Sequence, residues 1–590
     1  MNRKLKVGVL GIVVVGAIIG GVALLNLRKT VILVAMGVND VRYASAPKGQ
    51  ISTEQSLSAP VVAVPTVPLA IERIVAGDDW PSYNKNLESV RFSELVQISR
   101  ENVTGLKIQC VYDTHSHVSF QSGILVVNGA LIATTDKDTI SIDPMDCHQN
   151  WRVHENYKGA NLIGVNRGAA YMDDKLFRGT QDGRVLAYDF TTGRQLWSTS
   201  IADPTMGETA PSAPIAWNGL VFIGNAGGDG KGVKGRMYAL DAKTGGIVWE
   251  FYLVPRMPGD QIRGPQGAGT PSPESWGSVE GVPITGGAVW TSYTLDPDKG
   301  LLYVPTGNAA PDFAVDLRKG SDLFSDSVVV LDAKSGRYVR HFQTLQKDWH
   351  DWDVSNPPAL ITTRAGRDIM AEAPKDGHLY GYDLDSGKLL YRTAVNRMEN
   401  IDVPFSTTES VHYCPGSAGG AEWSSPSYNP ITNLVTIGEV DWCYTVKLQS
   451  DKKIETTKKG GVWMGAAYWN PYNALGVVDE PFKHWGGWLY ACDADSGEWK
   501  WRVHSNYPII GGTTATAGGL VFFGDAGGNF YAVDAANGQR LWGQKIGGAI
   551  GGGVITYAMH GTQRVAVAAG FESLLWPTEV TTATVVVLGL

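Results

Sequence analysis

The stretches LAYDFTTGRQLW (residues 186–197), YALDAKTGGIVW (238–249), VVLDAKSGRYVR (329–340), YGYDLDSGKLLY (380–391), YACDADSGEWKW (490–501) and AVDAANGQRLW (532–542) share one pattern. Each is an apolar strand followed by D-x-x-x-G-x-x-x-W or a near variant, and a degenerate copy, SIDPMDCHQNW (141–151), precedes them. The alternation predicts a half-buried strand, the Asp-to-Gly segment a tight turn, and the closing aromatic the next strand, so every copy is a hairpin. Upstream of many copies lies a further strand such as GLVFIG, GLLYVP, NLVTIG or GLVFFG. The aspartates Asp143, Asp189, Asp241, Asp332, Asp383, Asp493 and Asp534 are separated by 46, 52, 91, 51, 110 and 41 residues. Units of about fifty residues with about four short strands each, two of them stretched by insertions, predict a β-propeller rather than several separate domains.

Both ends of the chain supply unpaired strands. GGGVITYAMHGTQRVAVAAG (551–570) and TATVVVLGL (582–590) follow the last copy, and GLKIQCVYDTH (105–115) precedes the first. Joining them makes an eighth blade and removes an open sheet edge, so the expected fold is an all-β, eight-bladed propeller over residues 77–590. Composition agrees. With 71 glycines, 29 prolines, 19 tryptophans and 18% charged residues, the chain is neither disordered nor built of long helices, and glycine without a G-X-Y period excludes collagen. A net charge of −8 argues against a nucleic-acid partner. Five cysteines exclude a disulfide scaffold, and their odd number leaves at least one without a partner in the chain.

The N-terminus bears on the compartment. Val7 to Leu25 are nineteen apolar or glycine positions, about 28 Å of helix, which matches a bilayer core. Arg3, Lys4 and Lys6 before it place the rest of the chain outside the cytoplasm, although Arg28 and Lys29 blunt that signal. Residues 1–30 are read as a membrane anchor helix, with a signal peptide cleaved near Ala44-Ser45-Ala46 as the alternative. Residues 31–76, including the Pro-rich SAPVVAVPTVPLA (58–70), form a tether. The protein is then expected at the extracytoplasmic face of the cell membrane, or soluble in the periplasm if the segment is removed.

Six further stretches carry a resemblance: DDWPSYNKNLESVRFSELVQISRENVTGLK (78–107), VNRGAAY (165–171), the run from Pro211 to Pro255, GLLYVPTGNAAPDF (300–313), CPGSAGGAEW (414–423) and the run from Gly511 to Trp542. In order and spacing, from Asp79 to Leu590, the chain resembles the pyrroloquinoline-quinone (PQQ)-dependent alcohol dehydrogenases of the methanol and ethanol dehydrogenase type, which have eight-bladed propellers. The resemblance implies PQQ and Ca2+, or another hard cation, on the propeller axis. It implies metal ligands Asp229, standing where the family has a glutamate and followed by one extra residue, Asn308, Asp351 and, two residues on, Asp353. Asp351 becomes the base that takes the alcohol proton. Lys375 would bind the quinone oxygens, Arg167 a quinone carboxylate, and Trp290, eighteen residues before Asn308, the flat face of the cofactor. Gly227, Gly228 and Gln121, the last in place of a glutamate, are further cofactor neighbours. His350 replaces a tryptophan, and Asn161-Leu162-Ile163-Gly164 stands where many members carry adjacent cysteines.

Each position also has an ordinary reading. Gly-Asn and Gly-Asp after a strand are turn chemistry, as at Gly524-Asp525, where no ligand is expected. GNAGGDGKGVKG (224–235) precedes a strand, RMYALD, and not the helix a phosphate loop requires. His115 and His117 read as loop residues. Cys414 and Cys443 flank one hairpin and are either a disulfide in an oxidising compartment or two buried thiols. No C-x-x-C-H occurs, so electrons are expected to leave through a separate acceptor, a cytochrome c or a membrane quinone. The insertion between Asp383 and Asp493, with GGVWMGAAYWNPYNALG (460–476), is expected to cap the funnel. The expected function is oxidation of an alcohol to an aldehyde or ketone. The alternative, a non-catalytic envelope scaffold built from the same repeat, predicts that the axial residues are not assembled.

Overall fold

The computed structural model describes residues 38, 41–44, 51–56, 79–157, 164–277, 279–468, 475–481 and 484–590. The apolar run 7–25, the Pro-rich stretch 58–70 and Asn161–Ile163 lie outside these residues. The expected anchor helix falls on residues outside those described; among the described residues no helix is long and apolar enough to cross a membrane.

One unit shows how the repeat folds. Ile215–Trp217, Leu220–Gly224, Arg236–Asp241 and Ile247–Tyr252 form an antiparallel meander in chain order. The same four-stranded sheet recurs over residues 125–154, 170–200, 294–343 and 359–394. Two sheets gain a fifth strand, Ser52–Gln55 on Trp499–Ser505 and Phe92–Ser93, parallel, on Thr514–Thr516. An eighth is assembled from both ends of the chain, with Lys107–Asp113 pairing Thr584–Gly589 so that Tyr112 faces Val585. Two smaller sheets complete the set among the described residues. The fold is an all-β propeller.

The repeat residues have distinct tasks. The aspartate carboxylate accepts the turn N–H groups three residues on, as Asp241 does from Thr244 at 2.7 Å and Asp383 from Ser386 at 2.7 Å. The tryptophan eight residues after it docks on the following sheet. Trp151, Trp197, Trp249 and Trp501 donate their indole N–H to the carbonyls of Phe190, Ala242, Ala333 and Ala535, each the residue after that sheet's aspartate, at 3.0–3.2 Å. The ring then lies on the repeat glycine: a Cβ on Gly336, at φ +67°, would sit 2.6 Å from the Trp249 ring. Where the fourth copy has Arg340 in place of tryptophan, its guanidinium donates to the equivalent carbonyl, Leu384, at 2.9 Å. The hydrogen bond survives and the ring contact is lost.

The degenerate first copy has Cys147 at the glycine position, also with positive φ (64°). Cys147 is bonded to Cys110, in the outer strand of the sheet built from both ends. This disulfide spans the seam at the position where other neighbouring sheets use a ring on a glycine. The sequence did not suggest it. Cys414 and Cys443 form the second disulfide, and Cys492 is a buried free thiol.

Gly336→Ala should therefore cost about 2–4 kcal/mol, from left-handed strain plus overpacking. Gly366→Ala, at φ +77° with open space around the Cβ, should cost only the strain, about 1 kcal/mol. Urea-unfolding midpoints of the two variants measure the difference, and equal losses would remove the ring contact as the inter-sheet clamp.

Candidate active site

A cavity of about 580 Å³ is lined by loops and short strands from separate parts of the chain, and Gln121, Arg167, Asp229, Trp290, Asp351 and Lys375 all face it. Gly227, Gly228 and Asp353 line it too. Arg167 lies on Val165–Gly168, which pairs in parallel with Ser119–Gly123, so Arg167 and Gln121 come from adjacent strands. The Arg167 guanidinium sits 4.6 Å from the Trp290 ring centre and 5.1 Å from that of Trp423, and donates to the Trp290 carbonyl at 2.7 Å. Its Nε is buried without a partner. Burial pushes its pKa down to about 10. The Lys375 ammonium lies 5.4 Å from the same indole.

The carboxylates fall into two sets. Asp229, Asp312 and Asp351 each direct an oxygen to one place, all within 4.8 Å of one another. Asp353 is held apart: its Oδ2 is 2.6 Å from Lys375 Nζ, and its Oδ1 accepts the Asn308 backbone N–H at 3.0 Å. That close approach needs Gly307, since a Cβ there would lie 2.7 Å from Asp353 Oδ1. Lys375 Nζ is 3.9 Å from Asp351 Oδ1. Asp351 follows the strand Tyr338–Gln343 in a loop and carries a left-handed φ of 66°, a strained conformation for a residue with a side chain. Burial, and the neighbouring Asp353 and Asp229, raise the Asp351 pKa well above the usual carboxylate range against the pull of Lys375. Burial and Asp353 push Asp229 up to about 6, although Asp229 exposes surface into the cavity. Lys375 loses by burial but gains more from Asp351, Asp353 and Glu422, so it stays charged.

Several site residues were not anticipated. Asp312, four residues after Asn308, joins Asp229 and Asp351. Glu422, within a quoted motif but not singled out, lines the cavity and is pushed up to about 8 by burial, opposed by Lys375 and Arg167. Trp423 beside it donates to the Gly551 carbonyl at 2.7 Å. His117, expected as a plain loop residue, lies on the cavity wall with Nδ1 2.6 Å from Glu572. His350 stacks on Trp352 at 3.8 Å between ring centres. The insertion closes over the Asp229 loop: Lys231 N–H donates to Gly461 O at 2.9 Å and Trp463 N–H to Asp229 O at 2.7 Å. Asp525, in the similar Gly-Asp turn, instead spends its carboxylate on Ser505, Gly527 and Asn529.

A family model described as the β-propeller domain of glucose/ethanol/alcohol dehydrogenase matches residues 80–404, and one described as outer membrane protein assembly factor BamB matches residues 485–583. The dehydrogenase subunit of the quinone alcohol dehydrogenase of Komagataeibacter europaeus is 31% identical over 558 residues, covering 85% of this chain and 73% of that protein. Among solved structures, a quinohaemoprotein alcohol dehydrogenase of Pseudomonas putida is similar with a TM-score of 0.77 and 28% identity, over 88% of this chain and 82% of that one. A europium-containing methanol dehydrogenase is similar with a TM-score of 0.75 and 25% identity, over 87% and 98%.

Removing the Lys375 charge leaves buried carboxylates without a counter-ion. Lys375→Met should cost about 3–5 kcal/mol, and Lys375→Met/Asp353→Asn should recover a large part of it. Thermal unfolding of both variants without added cation is the check; no recovery in the double variant would mean that the 2.6 Å pair does not hold the loop.

Proposed function

Because this chain belongs to the family of PQQ-dependent alcohol dehydrogenases, we propose that it oxidises a small-molecule alcohol to an aldehyde or ketone and passes the electrons to a separate acceptor. The observation that carries this is the joint placement of carboxylates, two buried cations and an indole face on one cavity. The donor set fits the implied groups. Carboxylate oxygens suit a hard cation, and Arg167 and Lys375 beside the Trp290 face suit a planar, polyanionic quinone. When bound, PQQ supplies the electrophilic carbonyl that accepts hydride, polarised by the cation.

The residues divide the remaining work. Asp351 takes the hydroxyl proton, from a position within reach of the Lys375 ammonium. Lys375, close to both Asp351 and Asp353, keeps the two acids from repelling each other out of position. Arg167 orients the cofactor by a carboxylate, and Trp290 provides its floor. Asp229, Asn308, Asp351 and Asp353 are the metal ligands implied by the family. Gly227 and Gly228 keep the wall thin, since a Cβ on Gly228 would press on Ala288 at 3.0 Å. The eight sheets of four or five strands are read as eight blades over residues 77–590, with the sheet from both chain ends as closure and Ser52–Gln55, from the segment read as a tether, added to the edge of one blade. Two disulfides support an oxidising, extracytoplasmic location. The apolar run 7–25 supports attachment to the membrane there, near a cytochrome c or membrane quinone as acceptor. A non-catalytic scaffold has no use for buried, mutually repelling carboxylates.

The full-length protein, reconstituted with PQQ and calcium, should catalyse dye-linked oxidation across part of a panel of alcohols. Asp351→Asn should lower kcat by about 10²–10⁴-fold while quinone binding stays stoichiometric. Full activity in that variant, or no stoichiometric quinone in the wild type, would overturn the assignment.

A further inference from the structure

We propose that Asp312 is a direct ligand of the cation in this cavity, a third carboxylate beside Asp229 and Asp351, on the premise of the cation-and-quinone function above. Asp312 is 0% exposed, and both of its carboxylate oxygens lack a hydrogen-bond partner. The cationic side chain whose charge bears on it, Arg318, makes its hydrogen bonds elsewhere. Arg318 donates through Nη1 to Asp322 at 2.6 Å, and through Nη2 to the backbone carbonyls of Asp348 and Asp312, not to the Asp312 carboxylate. An ionised carboxylate in such a place is expensive, so Asp312 either holds a proton or is met by a positive charge, and its position beside two other carboxylates favours the charge. The place where that charge would sit is already marked, because an Asp312 oxygen lies within 4.8 Å of oxygens of Asp229 and Asp351. Oxygen ligands at about 2.3–2.6 Å around one hard cation are separated from each other by at most about 5 Å. The three carboxylates thus have the mutual spacing of a shared coordination sphere.

Backbone geometry aims the side chain there. Asp312 sits four residues after Asn308, whose N–H is bound to Asp353, and Phe313 N–H donates to Met464 O at 3.0 Å. The loop is thereby pinned on both sides of Asp312, to the Asp353 loop and to the insertion that covers Asp229. Asp312 itself does not line the open cavity. It would contribute to the coordination sphere from within the protein rather than from the open cavity.

The role separates from a merely structural one by what happens without cation. Full-length protein, stripped with a chelator, would be titrated with calcium chloride and separately with lanthanum chloride, by calorimetry and by the thermal midpoint. In the wild type both ions should raise the midpoint. Asp312→Asn should have a cation-free midpoint equal to or above that of wild type, because an uncompensated buried charge is gone. Its Kd for calcium should rise by about tenfold or more. Its Kd for lanthanum should rise by a larger factor, since the lost attraction scales with cation charge. Asp312→Glu should recover part of the affinity. Asp312→Ala, measured alongside, guards against a folding defect peculiar to the amide. Unchanged Kd values in Asp312→Asn and Asp312→Ala, with binding intact in the wild type, would overturn the ligand assignment and leave the site standing. No cation binding by the wild type would overturn both.

Discussion

An indole ring laid on a glycine of the next sheet is the contact on which this architecture depends. Each sheet alone exposes two apolar faces, and stacking around a ring buries them only if successive sheets keep a fixed spacing and tilt. The tryptophan eight residues after the repeat aspartate sets both, through its N–H on a defined carbonyl and its face on a residue without a Cβ, as between Trp249 and Gly336. Its repetition gives the ring its regularity. The axial cavity is then a by-product of geometry, because the inner loops of all sheets must converge where the strands are closest.

Within that frame the site is held by charge rather than by packing. Three carboxylates share one small volume, a fourth is drawn aside by Lys375, and Arg167 and Lys375 flank the same indole. Such a cluster is costly to assemble without cations, which couples the stability of the inner loops to what they bind. The strain at Asp351, with its left-handed backbone, belongs to the same account. The surrounding propeller is rigid enough to hold a residue where a free loop would not keep it.

Much of this was legible in the amino-acid sequence because it is repeated. Asp, Gly and Trp at fixed intervals announce the hairpins, and Asn308, Asp351 and Trp290 stand at family spacing. What was not legible is what happens once. Asp312 and Glu422 lie outside the repeated pattern, and what marks them is where they are buried, Asp312 with both oxygens unpaired and Glu422 between Lys375 and Arg167, a property only three dimensions reveal. The pairing of Cys110 with Cys147 was hidden for a different reason. The two residues belong to sheets that become neighbours only when the ring closes, so no local pattern links them. Arg340 illustrates the opposite error: it looks like a lost tryptophan, yet it keeps the hydrogen bond that tryptophan would make.

The bond between Cys110 and Cys147 has a consequence for how the ring is completed. Lys107–Asp113 must wait for partners at the far end of the chain, with Lys107 eventually opposite Gly589. Tied to the first complete sheet, the waiting strand is already placed beside the surface that the last sheet will cover. The arriving C-terminal strands then add to a prepositioned edge instead of searching for a free one. Completion becomes a templated addition whose register is decided at the beginning of the chain.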